Sequence, residues 1–412
     1  MQKNNLYNLS VYGIGQAFNL ITPLIVIPYI IAVCGLANYG RSAVAMALLF
    51  FLIVFVDYGS DIIGVKAVAT NRDKQYELGR IFTTTYCAKF CMLILILGVM
   101  AVLFLFVPNF ADDSALYFLS LPILIGQFLN PTWYLQGLEN FKVITIVNVL
   151  SKCIYLIGIF SFINQPSDYI YINLWWGIGM IVANGCCFLW LIHKNRFEFR
   201  ALCKDDISIH LKEGFPIFSS QIFVAIQLYS PLMLVGFLGG AVLAGTYRVV
   251  DQIIVIFKTY ILLFFNFVFP RVCYLLGDSL AKGVRYWLLF NGANFIFILI
   301  SMAVVYGFSS DVVAFFTDSH RDGITDLLKI AILIPILMSV SVPLKQLVLG
   351  MTYNSFYVNT TIAISLANVI AMIVMLSLFG LPGVLISLIL AEATTAMLFY
   401  LKINKPLFLP QK

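Results

Sequence analysis

Nine ionisable side chains lie where the sequence is otherwise apolar enough to cross a membrane. They are the cations Lys89, Lys152, Arg248, Lys258 and Lys345 and the acids Asp57, Asp61, Asp251 and Glu392. Charge placed in hydrocarbon is costly, so such groups face protein or a water-filled cavity and mark binding sites and ion paths. Arginine binds phosphate bidentately and lysine binds it as a point charge, so an excess of cations suits an anionic substrate. The densest group is Arg248, Asp251 and Lys258, within the apolar stretch Ala241 to Phe269, about 43 Å of helix. At 100° per residue the three fall within an arc of about 80°, on one helix face. Arg248 and Asp251, three apart, can pair and lock the helix to its neighbours. Lys258 has no acid one turn away.

The other cations differ in depth. Lys89 lies two turns from the end of its segment, from which its ammonium can snorkel out. Lys152 lies near mid-membrane, where snorkelling is hard. Lys345 follows Pro343, and a proline kinks a helix and frees carbonyls beside the ammonium. The expectation is a binding set of Arg248, Lys258, Lys152, Lys345 and Lys89, the first four facing one shared volume. Asp251 is the expected ion-coupling acid, with Glu392 and Asp57 as alternatives. Tyr12, Gln16 and Asn19 form a polar stripe that serves as interhelical glue or as a sugar-facing surface. Trp133, Tyr134, Trp175 and Trp176 are placed to stack on sugars or to anchor span ends at the interface.

These residues need helices to hold them. The chain has 412 residues, 61% hydrophobic and 11% charged, against about 25% charged in a soluble domain. The fold class is therefore an all-α polytopic membrane protein. Apolar windows lie near 9–33, 41–64, 81–107, 115–136, 141–163, 169–192, 214–238, 241–269, 286–308, 325–350, 355–379 and 382–403, about twelve spans. The second is interrupted by Asp57 and Asp61.

If both termini are cytoplasmic, the inside segments carry Lys3, Lys66, Arg72, Lys74, Arg80, Lys142, Lys194, Arg196, Arg200, Lys204, Lys212, Arg271, Lys282, Arg285, Lys402, Lys405 and Lys412. The outside loops carry Arg41 and Arg321 alone, with the acids Asp112, Asp113, Asp168, Asp311, Asp318 and Asp322. That bias sets a multi-pass orientation with both ends inside.

The loop at 193–213 divides the chain into expected six-helix lobes, 1–200 and 201–412, around a central cavity. An internal repeat supports the division. Gln16, Phe18 and the Gly35–Gly40 loop match Gln221, Phe223 and Gly240–Gly245 at an offset of 205. Leu135–Leu138 matches Val348–Met351 at an offset of 213.

Several classes are excluded. There is no phosphate-binding glycine loop, no Gly-x-Ser-x-Gly and no His-Glu-x-x-His, so an enzyme or a direct ATPase is not expected. The histidines and the eight cysteines show no metal-ligand spacing and no paired framework, so no cofactor, metal or disulfide is expected. The net charge of +6 resides in short loops and spans, which does not point to nucleic acid.

Pro23–Tyr29, Gly35 with Tyr39–Gly40, Val56–Gly59 and Pro131–Glu139 together resemble bacterial O-antigen flippases. These form the polysaccharide-transporter branch of the multidrug/oligosaccharidyl-lipid/polysaccharide superfamily. The resemblance implies a two-lobed bundle with a cationic cavity in the bacterial inner membrane. It also implies transfer of an undecaprenyl-pyrophosphate-linked oligosaccharide between leaflets, coupled to an ion gradient. Its implied partners are the bilayer, a polysaccharide polymerase and a chain-length regulator. A multidrug antiporter of the same superfamily would prefer cationic drugs, against which the membrane-depth cations argue. A membrane-embedded polymerase or ligase resembles chains with a large periplasmic loop, and the longest outside loop here, about 309–324, is short.

Overall fold

The computed structural model describes residues 2–106, 110, 113–195, 204–318 and 320–408, with side chains for 15, 18–103, 110, 113–194, 211–318 and 320–404. Tyr12 and Gln16 of the polar stripe, Asp112, and the cations Lys3, Arg196, Arg200, Lys204, Lys405 and Lys412 lie outside the described side chains.

Among the described residues all regular structure is helical. Hydrocarbon offers no hydrogen-bond partners, so each spanning segment must satisfy its backbone internally. Eleven helical segments are long and apolar enough to cross a membrane, and the first expected span adds the apolar helix Phe18–Cys34. The chain is a multi-pass helical membrane protein with about twelve spans. Its outward surface is apolar, as lipid requires: Phe267, Leu289 and Leu378 are among its most exposed side chains.

The chain packs as two units, Met1–Tyr229 and Ser230–Lys412. The first contains α1 (Gln2–Cys34), α2 (Leu36–Asp57), α3 (Ser60–Thr70), α4 (Gln75–Phe106), α5 (Ser114–Ser120), α6 (Pro122–Phe128), α7 (Thr132–Gly137), α8 (Phe141–Phe162), α9 (Ile172–Asn195) and most of α10 (Lys204–Leu234). The second holds the end of α10, a short π-helical turn Val235–Gly239, then α11 (Ala241–Asp278), α12 (Leu280–Gly307), α13 (Ser309–Ala314), α14 (Arg321–Ala331), α15 (Leu333–Gly350), α16 (Asn354–Phe379) and α17 (Leu381–Phe408).

The border falls inside α10, whereas the sequence points to the loop ahead of it. The physical reason is how the first part of α10 is held. Tyr58 donates its hydroxyl to Leu211 O at 3.1 Å and stacks on Phe218, and Gln221 Nε2 donates to both oxygens of Asp61 at 2.8 and 2.7 Å.

The break in the second span is real and abrupt. α2 ends at Asp57, and Tyr58 and Gly59 turn the chain through the left-handed region at φ 44° and 76° before α3 begins. Trp133 and Tyr134, expected at an interface or on a sugar, are instead in the core. They are 3% and 0% exposed and pack with Phe82 and Tyr86. Trp175 stacks on Phe162 at 4.7 Å.

The internal repeat is written in the backbone. Gly35 and Gly240 have φ of 82° and 87° and lie between long helices in their respective units. Each glycine N–H closes the preceding turn (Gly35 N to Ile31 O, 2.9 Å; Gly240 N to Gly236 O, 3.1 Å), and each carbonyl opens the next. At offset 213, Glu139 and Thr352 both adopt left-handed conformations, φ 58° and 62°. The flanking bonds match one for one: Asn140 N to Leu135 O at 2.8 Å and Tyr353 N to Val348 O at 3.0 Å.

Both cations expected outside meet acids there, Arg41 with Asp113 at 3.2 Å and Arg321 with Asp311 at 3.5 Å. At the other end of the first unit, Arg72 Nε donates to Gly137 O at 2.7 Å and its Nη2 reaches Glu139 Oε1 at 2.9 Å. That hydrogen bond, with the charge behind it, holds the Glu139 carboxyl below its ordinary pKa. A lowered native value means the contribution is complete above the unfolded pKa near about 4.3 and is lost as the pH falls through the native value. Glu139→Gln is therefore expected to lower the melting temperature slightly at pH 7 and by less at pH 3. An equal deficit at both pH values would show that the charge is idle.

Candidate functional site

In the second unit the three charges of α11 form one cluster. Asp251 Oδ2 takes Arg248 Nη1 at 3.0 Å, and Asp251 Oδ1 takes Lys258 Nζ at 3.4 Å. The Arg248–Asp251 pair is the one expected from spacing. The Lys258 pair reaches two helical turns, which a long lysine stem on the same face can span. Two cations thus share one carboxylate, and the stripe keeps a net positive charge. It is neither sealed nor open, with side-chain exposures of 26%, 16% and 26% for Arg248, Asp251 and Lys258.

Glu392 of α17 accepts from Ser341 Oγ of α15 at 2.6 Å and feels the charge of Lys258. It is a second acid near the same cluster. Lys345 stands apart from this group. Its ammonium lies over the rings of Phe265 and Tyr357, at 5.5 and 4.7 Å. Near it, the Pro343 carbonyl is taken by Trp287 Nε1 at 2.9 Å.

The first unit holds two different kinds of cation. Lys89 does not snorkel. It is 1% exposed, turned inward to Asp57 Oδ1 at 3.0 Å and to Gln127 O at 3.2 Å. Gln127 Nε2 closes the ring by donating to Asp57 Oδ2 at 2.7 Å. Snorkelling loses because a carboxylate and a carbonyl are nearer than the interface, and a paired charge escapes the desolvation penalty. This closed network reads as a lock at the α2–α3 break rather than as a binding surface.

Lys152 is the opposite case. It is 9% exposed and has no carboxylate at ion-pair distance among the described residues. Its ammonium sits 3.2 Å from the centre of the Trp176 ring, which also meets Tyr155 and Phe50 edge-on or tilted. A ring quadrupole compensates a cation only in part, so Lys152 remains a demand for an anion.

The neutral partners Gln127 and Ser341 were missed, and Trp176, expected on a sugar or at an interface, carries the Lys152 ammonium instead. A scan for amides and hydroxyls inside all the apolar windows would have found the first two.

The sequence pattern of a family described as polysaccharide biosynthesis protein matches residues 6–275. The chain belongs to that family. Among curated relatives of this family member, a protein named "Putative O-antigen transporter" from Escherichia coli (strain K12) is 24% identical over 410 residues, covering 97% of each chain. One of the same name from Shigella dysenteriae is 25% identical over 289 residues, covering 69% of this chain and 70% of that one.

Solved structures share the fold. An inward-facing multidrug resistance MATE family transporter of the MOP superfamily superposes with a TM-score of 0.74 at 16% identity, covering 97% of both chains. The lipid II flippase MurJ, in an inward closed conformation, gives 0.72 at 16% identity over 95% of this chain and 87% of its own. The resemblance read from Pro23 to Glu139 thus holds for the family, and the fold is a transporter fold.

Proposed function

We propose that the chain moves the head group of an undecaprenyl-pyrophosphate-linked oligosaccharide, an O-antigen repeat unit, from the cytoplasmic to the periplasmic leaflet of the bacterial inner membrane. The observation that carries this reading is the Arg248–Asp251–Lys258 stripe in a member of this family. A pyrophosphate with several sugars cannot cross hydrocarbon unaided, because its charge and hydroxyls would lose their water. A cavity open first to one side and then to the other keeps the head solvated while the polyprenyl tail stays in lipid. The two halves of the duplicated chain are the parts that rock.

Arg248 and Lys258 are ten residues apart on α11, about 15 Å along the axis, and both reach Asp251. An incoming phosphate competes with Asp251 for the two cations. A proton or a cation on Asp251 then frees both for the phosphate, and its departure lets the carboxylate reclaim them and release the load. Differential affinity between two states is what drives such a cycle. Glu392 is the second acid able to take the coupling ion, whereas Asp57 is already engaged by Lys89 and Gln127. Lys152, over the Trp176 ring in the first unit, is a further cation that is only partly compensated.

The experiment is reconstitution in vesicles loaded with a lipid-linked oligosaccharide, scoring its exposure to a reagent that cannot cross the membrane. Exposure should rise with protein and rise further with an imposed proton or sodium gradient. Exposure equal to that in protein-free vesicles, or export of cationic dyes in its place, would reject the reading in favour of a multidrug antiporter.

A further inference from the structure

At the end of the second unit formed by the α15–α16 turn and the last turns of α17, two ammonium groups lean on one aromatic shelf. Lys402 Nζ is 4.7 Å from the Tyr353 ring centre and 5.3 Å from that of Phe356. Lys345 Nζ is 4.7 Å from the Tyr357 ring. Tyr353 and Tyr357 are four residues apart and so share a helix face. Phe356 and Tyr357 both rest on Phe399 of α17, at 6.3 and 6.1 Å, which fixes the shelf from beneath.

Neither ammonium has a carboxylate at ion-pair distance among the described residues. Ring faces satisfy a cation only partly, and each ammonium brings three donors. Lys345 lies five residues before Gly350, about 8 Å from the helix end, within reach of a snorkelling stem. Lys402 is already level with the turn. The two heads can therefore meet at one membrane interface.

The pair lies beyond the α11 stripe along the helix axis. Phe265, which Lys345 touches, is about 10 Å further along α11 than Lys258. The side chains of the site are themselves open to its surroundings: Lys345, Lys402, Tyr353, Phe356 and Tyr357 are all partly exposed.

We propose that Lys345 and Lys402 form a site for the phosphate of a resident anionic phospholipid, with the Tyr353–Phe356–Tyr357 shelf carrying its glycerol and first acyl carbons. A zwitterionic lipid fits less well, because its own ammonium would meet two cations and ring faces already occupied. Charge bias places this end in the cytoplasmic leaflet, where lysines near the surface attract anionic lipid.

The test is native mass spectrometry of the full chain released from phosphatidylcholine vesicles containing equal phosphatidylglycerol. The wild type should retain phosphatidylglycerol preferentially. Lys345→Gln and Lys402→Gln should each reduce that preference about 5-fold, and the double variant about 30-fold. Lys345→Arg/Lys402→Arg should keep it. Lys282→Gln, which removes an exposed ion pair to Asp278, should change nothing. If the double variant fails to fold, the single variants decide. A preference that survives both substitutions overturns the proposal. So does stronger retention of undecaprenyl pyrophosphate than of phosphatidylglycerol through the same two lysines, which would assign the pair to the carried lipid.

Discussion

Lys89→Ala is expected to destabilise the protein by about 3–5 kcal/mol, because it strands the Asp57 carboxylate in a buried site. With the ammonium gone, Asp57 keeps only the Gln127 amide, and Gln127 O keeps only backbone donors such as Asn130 N at 3.1 Å. The converse change, Asp57→Ala, should be as severe for the same reason. Replacing the pair together, Lys89→Met with Asp57→Leu, should recover most of the loss, since apolar residues of similar volume often match a buried ion pair. Unfolding of purified protein in detergent compares the four proteins. A double variant as unstable as the worse single would mean that the charges do more than compensate each other.

The second large effect is on transport. Arg248→Ala/Lys258→Ala should slow flipping at least about 100-fold, because each charge-assisted bond to phosphate contributes about 1.5–3 kcal/mol. That variant leaves Asp251 without either cation, so its folding must be separated from its function. Arg248→Ala/Lys258→Ala/Asp251→Asn removes the stranded charge and should be as well folded as the wild type yet equally inactive. Asp251→Asn alone should retain basal movement and lose its response to an imposed gradient. Arg248→Lys should fall between, since a point charge replaces a bidentate fork. Full flipping by the triple variant would remove the stripe from the mechanism.

What could be read from sequence followed from how the information is laid out along the chain. Apolar windows mark helices because each span satisfies its own backbone, a local property. Asp57 and Asp61 marked a weak second span, and the chain does break beside them, at Tyr58 and Gly59. The pairing of Arg248 with Asp251 was legible because three residues on one helix is a contact by geometry alone. The fate of Lys89 was not, since its partners Asp57 and Gln127 come from other helices. Trp133 and Tyr134 were misread for a related reason. Position near a span end suggests an interface, but the short α7 is tucked inside the first unit against Phe82 and Tyr86. Lys152 and Lys345 were recognisable as unusual cations, but nothing local to either position announces the ring it rests on.

The matched backbone of Gly35 and Gly240 supplies a control experiment that the molecule has already performed on itself. α2 and α11 are entered through the same glycine conformation. At the offset of 205, Arg248, Asp251 and Lys258 of α11 stand opposite Ala43, Met46 and Ile53 of α2. The copy in the first unit folds with three apolar side chains where the other carries three charges, and Ala43 is 7% exposed there. The helix and its entry turn therefore do not require the charges. The asymmetry between the two helices sets the three charges apart from what the glycine entry and the helix itself need.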